Sequence, residues 1–219
     1  MSKFEKKEII LTIGIPSLPD RMFTHFNPLY EKLKKQIGDS KDIEVLSIMD
    51  NKAMSVGRKR TLLFKIAQGK YTCIIDDDDD VTDDFIETLR SAITNDLNVD
   101  VICYNQDAEI NGKSWLIKTS LKNSSGFPFD QLQVDQFGNT IPCMRPPWHW
   151  CAWNTEFAKN IPFGDTNYQE DTVFVVQAIS SAKTELVIDK VLCKYRWIES
   201  VSQAQFQPGS HESISKVVI

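Results

Sequence analysis

The chain has 219 residues, room for one large domain at about 150 residues each, and long enough to bury a core without disulfide or metal staples. Hydrophobic residues at 42% and charged residues at 25% exclude a disordered, collagen-like or coiled-coil chain. The formal charge of −5 disfavours non-specific nucleic-acid binding, which depends on cationic contacts to phosphate, while leaving room for a local basic groove.

The opening stretch, residues 1–16, has only a short apolar run before Pro16 and reads as a strand rather than a signal peptide. A buried strand is predicted over 9–15, closed by Pro16-Ser17-Leu18-Pro19, then a helix over 23–37 stopped by Gly38. A second strand covers 43–49. Ser55 can cap a helix over 56–68 with Leu62, Leu63, Ile66 and Ala67 on its apolar face and Gly69 just past its end. A third strand covers 71–75, Thr82 can cap a helix bearing Phe85, Ile86, Leu89 and Ile93, and a fourth strand covers 99–104. Strands separated by helices of this length imply parallel βαβ units in a three-layer α/β core.

Beyond residue 105 the pattern changes. Asn111-Gly112 between two alternating segments is a type I′ hairpin signal. Residues 120–147, rich in Ser, Gly, Pro and Asn, read as a long functional loop. A strand over 148–153, a helix over 170–182 and strands over 185–188 and 191–197 complete the ordered part, and 200–219 read as a mobile tail. The expected organisation is one domain in two halves, 1–105 and 106–199, followed by that tail. The five cysteines, Cys73, Cys103, Cys143, Cys151 and Cys193, are odd in number, form no CxxC pair and sit mostly among apolar residues. They suggest reduced thiols in a cytoplasmic protein. No apolar run is long enough for a membrane span.

The most informative feature is Asp76-Asp77-Asp78-Asp79-Asp80, directly after the apolar strand. Adjacent carboxylates repel, and open α/β sheets bind ligands at the carboxyl ends of their strands, so a hard divalent ion such as Mg²⁺ or Mn²⁺ fits the position. A solvated acidic turn at the start of the next helix is the plainer reading. A non-catalytic Ca²⁺ module is another: Asp76, Asp78, Asp80, Thr82, Asp84 and Glu87 have EF-hand spacing. Against it, Val81 stands where that loop needs Gly, and a strand leads in. A phosphohydrolase of haloacid-dehalogenase type, with Asp76 as nucleophile and Asp78 as acid/base, fails its signature at Asp80.

Gly57-Arg58-Lys59-Arg60-Thr61, Ala67-x-Gly69-x-Tyr71 and Ile74-Ile75-Asp76-x-Asp78-Asp79 together resemble the family 2 glycosyltransferases of GT-A fold. Their pattern runs Arg-Asn, Ala-x-Gly-x-Tyr, then an apolar pair and Asp-x-Asp-Asp; Thr61 in place of Asn is the one departure. Ile13 to Ser17, Phe163 followed by Glu170-Asp171, and Tyr195-Arg196-Trp197 with Ser200-Val201-Ser202 extend the likeness over nearly the whole chain. Its compact size is similar to small phage or bacterial members. The resemblance implies a three-layer α/β/α fold with a mostly parallel sheet, and an inverting transfer of sugar from a nucleotide donor to a hydroxyl acceptor.

The same resemblance implies the roles. Pro16 and Ser17 line a nucleoside pocket, and Asp50 reads the base. Asp76 contacts the ribose or a water-bridged metal, Asp78 ligates Mn²⁺ or Mg²⁺, and Arg60 steadies the nucleotide. Asp77 and Asp79 stay open as substitutes within the run. Asp171 is the expected general base, since a sugar hydroxyl must lose its proton to attack, and Glu170 is expected to orient the acceptor. Both could instead simply open a helix. Trp148 and His149 suit a sugar face or the metal shell, or a buried strand face shared by Trp148 and Trp150; His211 is a further candidate ligand. A UDP-sugar is the expected donor. The acceptor is a glycan precursor or, given the cluster Lys52, Arg58, Lys59 and Arg60, a hydroxymethylated DNA base.

Overall fold

The computed structural model describes residues 8–94, 98–110, 112–123, 134–138 and 140–197. Strand β1 (Leu11–Ser17) is buried along its whole length. It has parallel neighbours on both edges, β2 (Ile43–Met49) and β3 (Tyr71–Ile74), which is why its sequence shows no polar alternation. Helix α1 (Asn27–Ile37) joins β1 to β2, and α2 (Val56–Ile66) joins β2 to β3. The short β4 (Asp80–Val81) and helix α3 (Phe85–Thr94) follow.

The second half is built on β5 (Val101–Ile110), which turns back into β6 (Lys113–Thr119), with Ile110 paired to Lys113 across the expected two-residue turn. Next come β7 (Cys143–Arg145), β8 (Ala152–Asn154), α4 (Thr155–Ala158), α5 (Glu170–Ser181) and β9 (Glu185–Trp197). One sheet of nine strands holds them, with the path β2-β1-β3-β8-β5-β6-β7, β9 on β5 and β4 on β9. Its longest pairings, β1 with β2 and β5 with β9, are parallel, and helices complete an α/β/α sandwich in which α1 meets α3 and α2 meets α5.

Register places the site. Gly14 is level with Ile74, so the chain leaving β3 brings Asp77 beside Ser17 at the end of β1, while Ser17 is level with Met49 and Asp50 leaves the neighbouring strand. The carboxyl ends of three parallel strands therefore share one rim.

Several elements depart from expectation. The first helix begins as a wide π-type turn, Met22–Phe26, before becoming α-helical at Asn27. Only Ala152–Asn154 of the strand expected over 148–153 is extended, because residue 151 turns back to bond the Trp148 carbonyl. Trp148 and Trp150 thus do not share a strand face. The two final strands are one. Asp189 and Lys190 form a bulge opposite Tyr104 and Asn105, and Asp189 accepts from Asn105 Nδ2 at 2.9 Å and Lys118 Nζ at 2.9 Å. Thr82 does not cap α3 through its side chain: its hydroxyl donates to Asp84 Oδ1 at 2.9 Å, and only its carbonyl meets the helix, accepting from Phe85 N. Gly69 serves a close approach rather than a left-handed cap. A Cβ there would lie 2.5 Å from Thr12 N. The expected tail and His211 lie outside the described residues, as do 124–133 and 139 of the expected 120–147 loop, whose end instead forms strand β7 on β6.

Candidate active site

Ser55 caps α2 as expected, its hydroxyl accepting from Arg58 N at 3.1 Å and donating to Asp165 Oδ1 at 2.5 Å. The other first-turn amides are taken by the segment before α5: Val56 N donates to Asn167 Oδ1 at 2.9 Å and Gly57 N to the Thr166 carbonyl at 3.2 Å. Thr61 completes the docking, accepting from Phe163 N at 3.0 Å. Phe163 stacks on Phe174 at 4.4 Å between ring centroids, with Phe64 beside them. The acidic pair Glu170-Asp171 is thereby held against α2, although more than a hundred residues separate the two segments in the chain.

Arg60 links the two acidic motifs. Its Nη2 donates to both oxygens of Asp76, at 2.6 and 2.5 Å, and its Nη1 donates to Glu170 Oε1. Burial works against the charge on Asp76, but Arg60 and His149 hold its carboxyl well below the ordinary range. Burial pushes Glu170 up to about 7 even with Arg60 beside it. Lys59, also buried, donates to the Ser17 carbonyl at 2.8 Å and pairs with Asp50, whose carboxyl it holds below its ordinary value. Of Arg58, Lys59 and Arg60 on α2, only Arg58 is exposed. The basic cluster that suggested DNA loses two of its four members to internal ion pairs, leaving Lys52 and Arg58 exposed.

The rest of the acidic run is held differently at each position. Asp77 Oδ2 accepts from Ser17 Oγ at 2.6 Å, and burial pushes this carboxyl up to about 6. Arg21 Nη2 lies 2.7 Å from Asp77 Oδ1 and 2.8 Å from Asp78 Oδ2. Asp80 is bound by Lys32 Nζ at 2.9 and 3.0 Å. Asp79 is nine-tenths buried; its backbone N donates to the Asp76 carbonyl, while its carboxylate makes no hydrogen bond or ion pair among the described residues. Burial and its neighbours Asp76 and Asp78 push its carboxyl well above the usual range.

An orphaned buried carboxylate beside an exposed one is a donor set that a hard divalent cation fits, with Asp78 as the accessible ligand. No group of three or more His, Cys, Asp or Glu is arranged as a closed metal cage among the described residues. Mg²⁺-type sites ordinarily take one or two carboxylates and complete their shell with substrate oxygens. An EF-hand loop does not fit, because Asp80 and Val81 are strand β4, paired with Lys194 and Cys193. A nucleophilic Asp76 does not fit either, with both its oxygens engaged by Arg60.

His149 is buried, with Nε2 3.8 Å from Asp76 Oδ2 and Nδ1 lacking a hydrogen-bond partner. Burial and Arg60 lower its pKa, favouring the neutral ring. Trp148 is half-buried, its ring lying 4.1 Å from the Arg145 guanidinium. Pro16 is buried within β1. Asp171 is half-buried next to Glu170. Tyr195, on β9, is pushed up by burial and by the field of Asp79, Asp76, Asp78 and Asp171. Sequence reasoning missed Arg21, Lys32 and Arg145, because a lone basic residue in a loop or helix face carries no spacing signal.

The sheet order and helix layers define a fold of GT-A type. No protein-family model matches the chain, and no curated protein matches it in sequence. Solved structures do. S. aureus TarS, a glycosyltransferase, in its complex with UDP-GlcNAc aligns with a TM-score of 0.60 at 15% identity, over 90% of this chain and 61% of that one. TarS 1-349 in complex with UDP gives 0.57 at 18% identity over 85% and 60%, and TarS 1-349 alone 0.56 at 16% over 85% and 60%. The chain spans about 60% of the length of these TarS structures. No described helix is long and apolar enough to cross a membrane.

Proposed function

We propose that the chain is a metal-dependent, inverting glycosyltransferase that moves a sugar from a nucleotide donor, a UDP-sugar first, to a hydroxyl acceptor. The observation that carries this reading is the Arg60 fork, which joins Asp76 to Glu170 and so brings Asp171 to the rim where Ser17 and Asp50 end their strands. The likeness in fold to TarS, solved with UDP and with UDP-GlcNAc, supports the donor class. In this reading Pro16, Ser17 and Asp50 receive the nucleoside, and Trp148 and His149 flank the sugar. Asp171 accepts the proton of the attacking hydroxyl, and Glu170, held by Arg60, fixes the start of α5 beneath it. Asp78, with Asp76 behind it, would hold Mn²⁺ or Mg²⁺, which supplies electrostatic stabilisation for the departing diphosphate.

With Lys59 and Arg60 engaged internally, the reading favours a glycan hydroxyl over a hydroxymethylated DNA base. A small phage or bacterial enzyme in a cytoplasmic setting goes with it.

Thermal unfolding in the presence of nucleotide sugars tests the proposal. A UDP-sugar at a hundred times its Kd adds about 2.7 kcal/mol of stability, and does so only with Mn²⁺ or Mg²⁺ present. Asp171→Asn is expected to keep that shift and lose transfer. A donor panel with no shift in either metal condition overturns the proposal.

A further inference from the structure

We propose that Arg21 is a built-in stand-in cation for the acidic rim, bridging Asp77 and Asp78 in the ligand-free chain and yielding Asp78 when a divalent cation binds. The inference rests on the metal reading above. A single guanidinium nitrogen, Nη2, lies within 2.8 Å of an oxygen from each of two adjacent carboxylates and offsets the repulsion between them. The two partners are not equivalent. Asp77 is 4% exposed and tied to Ser17 Oγ, whereas Asp78 is 43% exposed and has no other partner among the described residues. Asp78 is therefore the carboxylate able to change hands.

Compared with Lys59 and Arg60, Arg21 is also the cation better able to leave. Lys59 and Arg60 are buried, and each is fixed by a second contact, to the Ser17 carbonyl and to Glu170. Arg21 is half-buried, and its Nε is shut from solvent without a hydrogen-bond partner, so its seat is held by charge rather than by a complete set of bonds. Its backbone lies where the 3₁₀ turn Pro19–Arg21 meets the π-type turn Met22–Phe26, and neither turn contains a buried residue. Turns of the second kind recur at functional sites, and Phe26, at the far end of this one, is the side chain that packs on the core, which leaves Arg21 free of that anchor. The chain thus offsets the repulsion of its own aspartates before any ion arrives, and the arriving ion must compete with a tethered one.

Titration of Mn²⁺ by calorimetry, alone and with UDP, tests this on the whole chain. Arg21→Ala is expected to bind Mn²⁺ about ten-fold more tightly than the native chain, and Arg21→Lys, a point charge without the fork, to fall between them. Without metal the Arg21→Ala chain is expected to melt at lower temperature and to recover more on adding Mn²⁺ than the native chain does. Arg21→Gln, which keeps a polar side chain of similar length, serves if the alanine variant is poorly folded. Equal Mn²⁺ affinity in native and variant chains overturns the stand-in role while leaving the metal reading intact. Absence of Mn²⁺ binding in all chains, with UDP present, overturns both.

Discussion

Arg60 is the residue on which the site's electrostatics turn. It is 4% exposed and serves two carboxylates, so its loss strips the buried Glu170 and the quarter-exposed Asp76 of the cation that joins them. Breaking a buried pair from one side costs about 3–5 kcal/mol, far more than the pair's net worth, because the desolvation of the remaining charge is no longer offset. Arg60→Ala is expected to lose that much in urea unfolding. Arg60→Lys should lose less but still measurably, since an ammonium cannot span both acids in the planar geometry of the fork. A loss below about 1 kcal/mol for alanine would mean that the fork does not form in solution.

The contact between α2 and the segment leading into α5 is the element-level feature that brings Glu170 onto Arg60. Gly57 makes it possible: a Cβ at this position would run into the Gly164 carbonyl and lie 2.8 Å from Glu170 Cβ. The backbones approach so closely that Gly57 N reaches the Thr166 carbonyl, and the Phe64, Phe163 and Phe174 rings stack beneath. Gly57→Ala is expected to cost about 1–3 kcal/mol, the usual range for overpacking, and to push Glu170 away from Arg60. Unfolding curves give the first effect. The second appears as lost donor-induced stabilisation, whereas alanine at exposed Arg58 should change neither. Gln169, with φ of 56° in the left-handed region, marks the same junction and starts α5 abruptly at Glu170.

At the scale of the molecule, Asp100 ties together the start of β5, β8 and the turn between α5 and β9. Its Oδ2 accepts from Lys183 N at 2.7 Å, Thr184 N at 2.9 Å and Thr184 Oγ1 at 2.9 Å, and its carbonyl accepts from Asn154 N at 2.8 Å. Burial opposes the charge, but these donors win and hold the carboxyl below its ordinary value. A carboxyl depressed in the folded chain contributes stability above its unfolded pKa of about 3.9 and loses it as pH falls through the folded value. The native chain should therefore exceed Asp100→Asn by about 1–2 kcal/mol at pH 7, with the gap closing below about pH 4. A gap that stays constant down to pH 2 would show that the charge contributes nothing.

Much of this was readable from residue order alone. The apolar runs of β1 and β3, the Ser55 cap and the hairpin joining β5 to β6 are short-range signals, set by burial, capping and strand pairing within a few residues. The acidic run could likewise be assigned to a strand's carboxyl end, because an apolar strand directly precedes it. The partners of those acids could not. Arg60, Arg21 and Lys32 reach Asp76, Asp77, Asp78 and Asp80 through space, and Glu170 arrives from over a hundred residues away. Hydrophobic periodicity reports which face of an element is buried, and it is silent on which charge meets which once the layers close. For the same reason Lys59 and Arg60 could be read only as members of a basic cluster, and the docking of the α5 segment over α2 is what buried them. The one-dimensional pattern determined that carboxylates gather at a rim; the three-dimensional packing decided which cations answer them and left Asp79 unanswered.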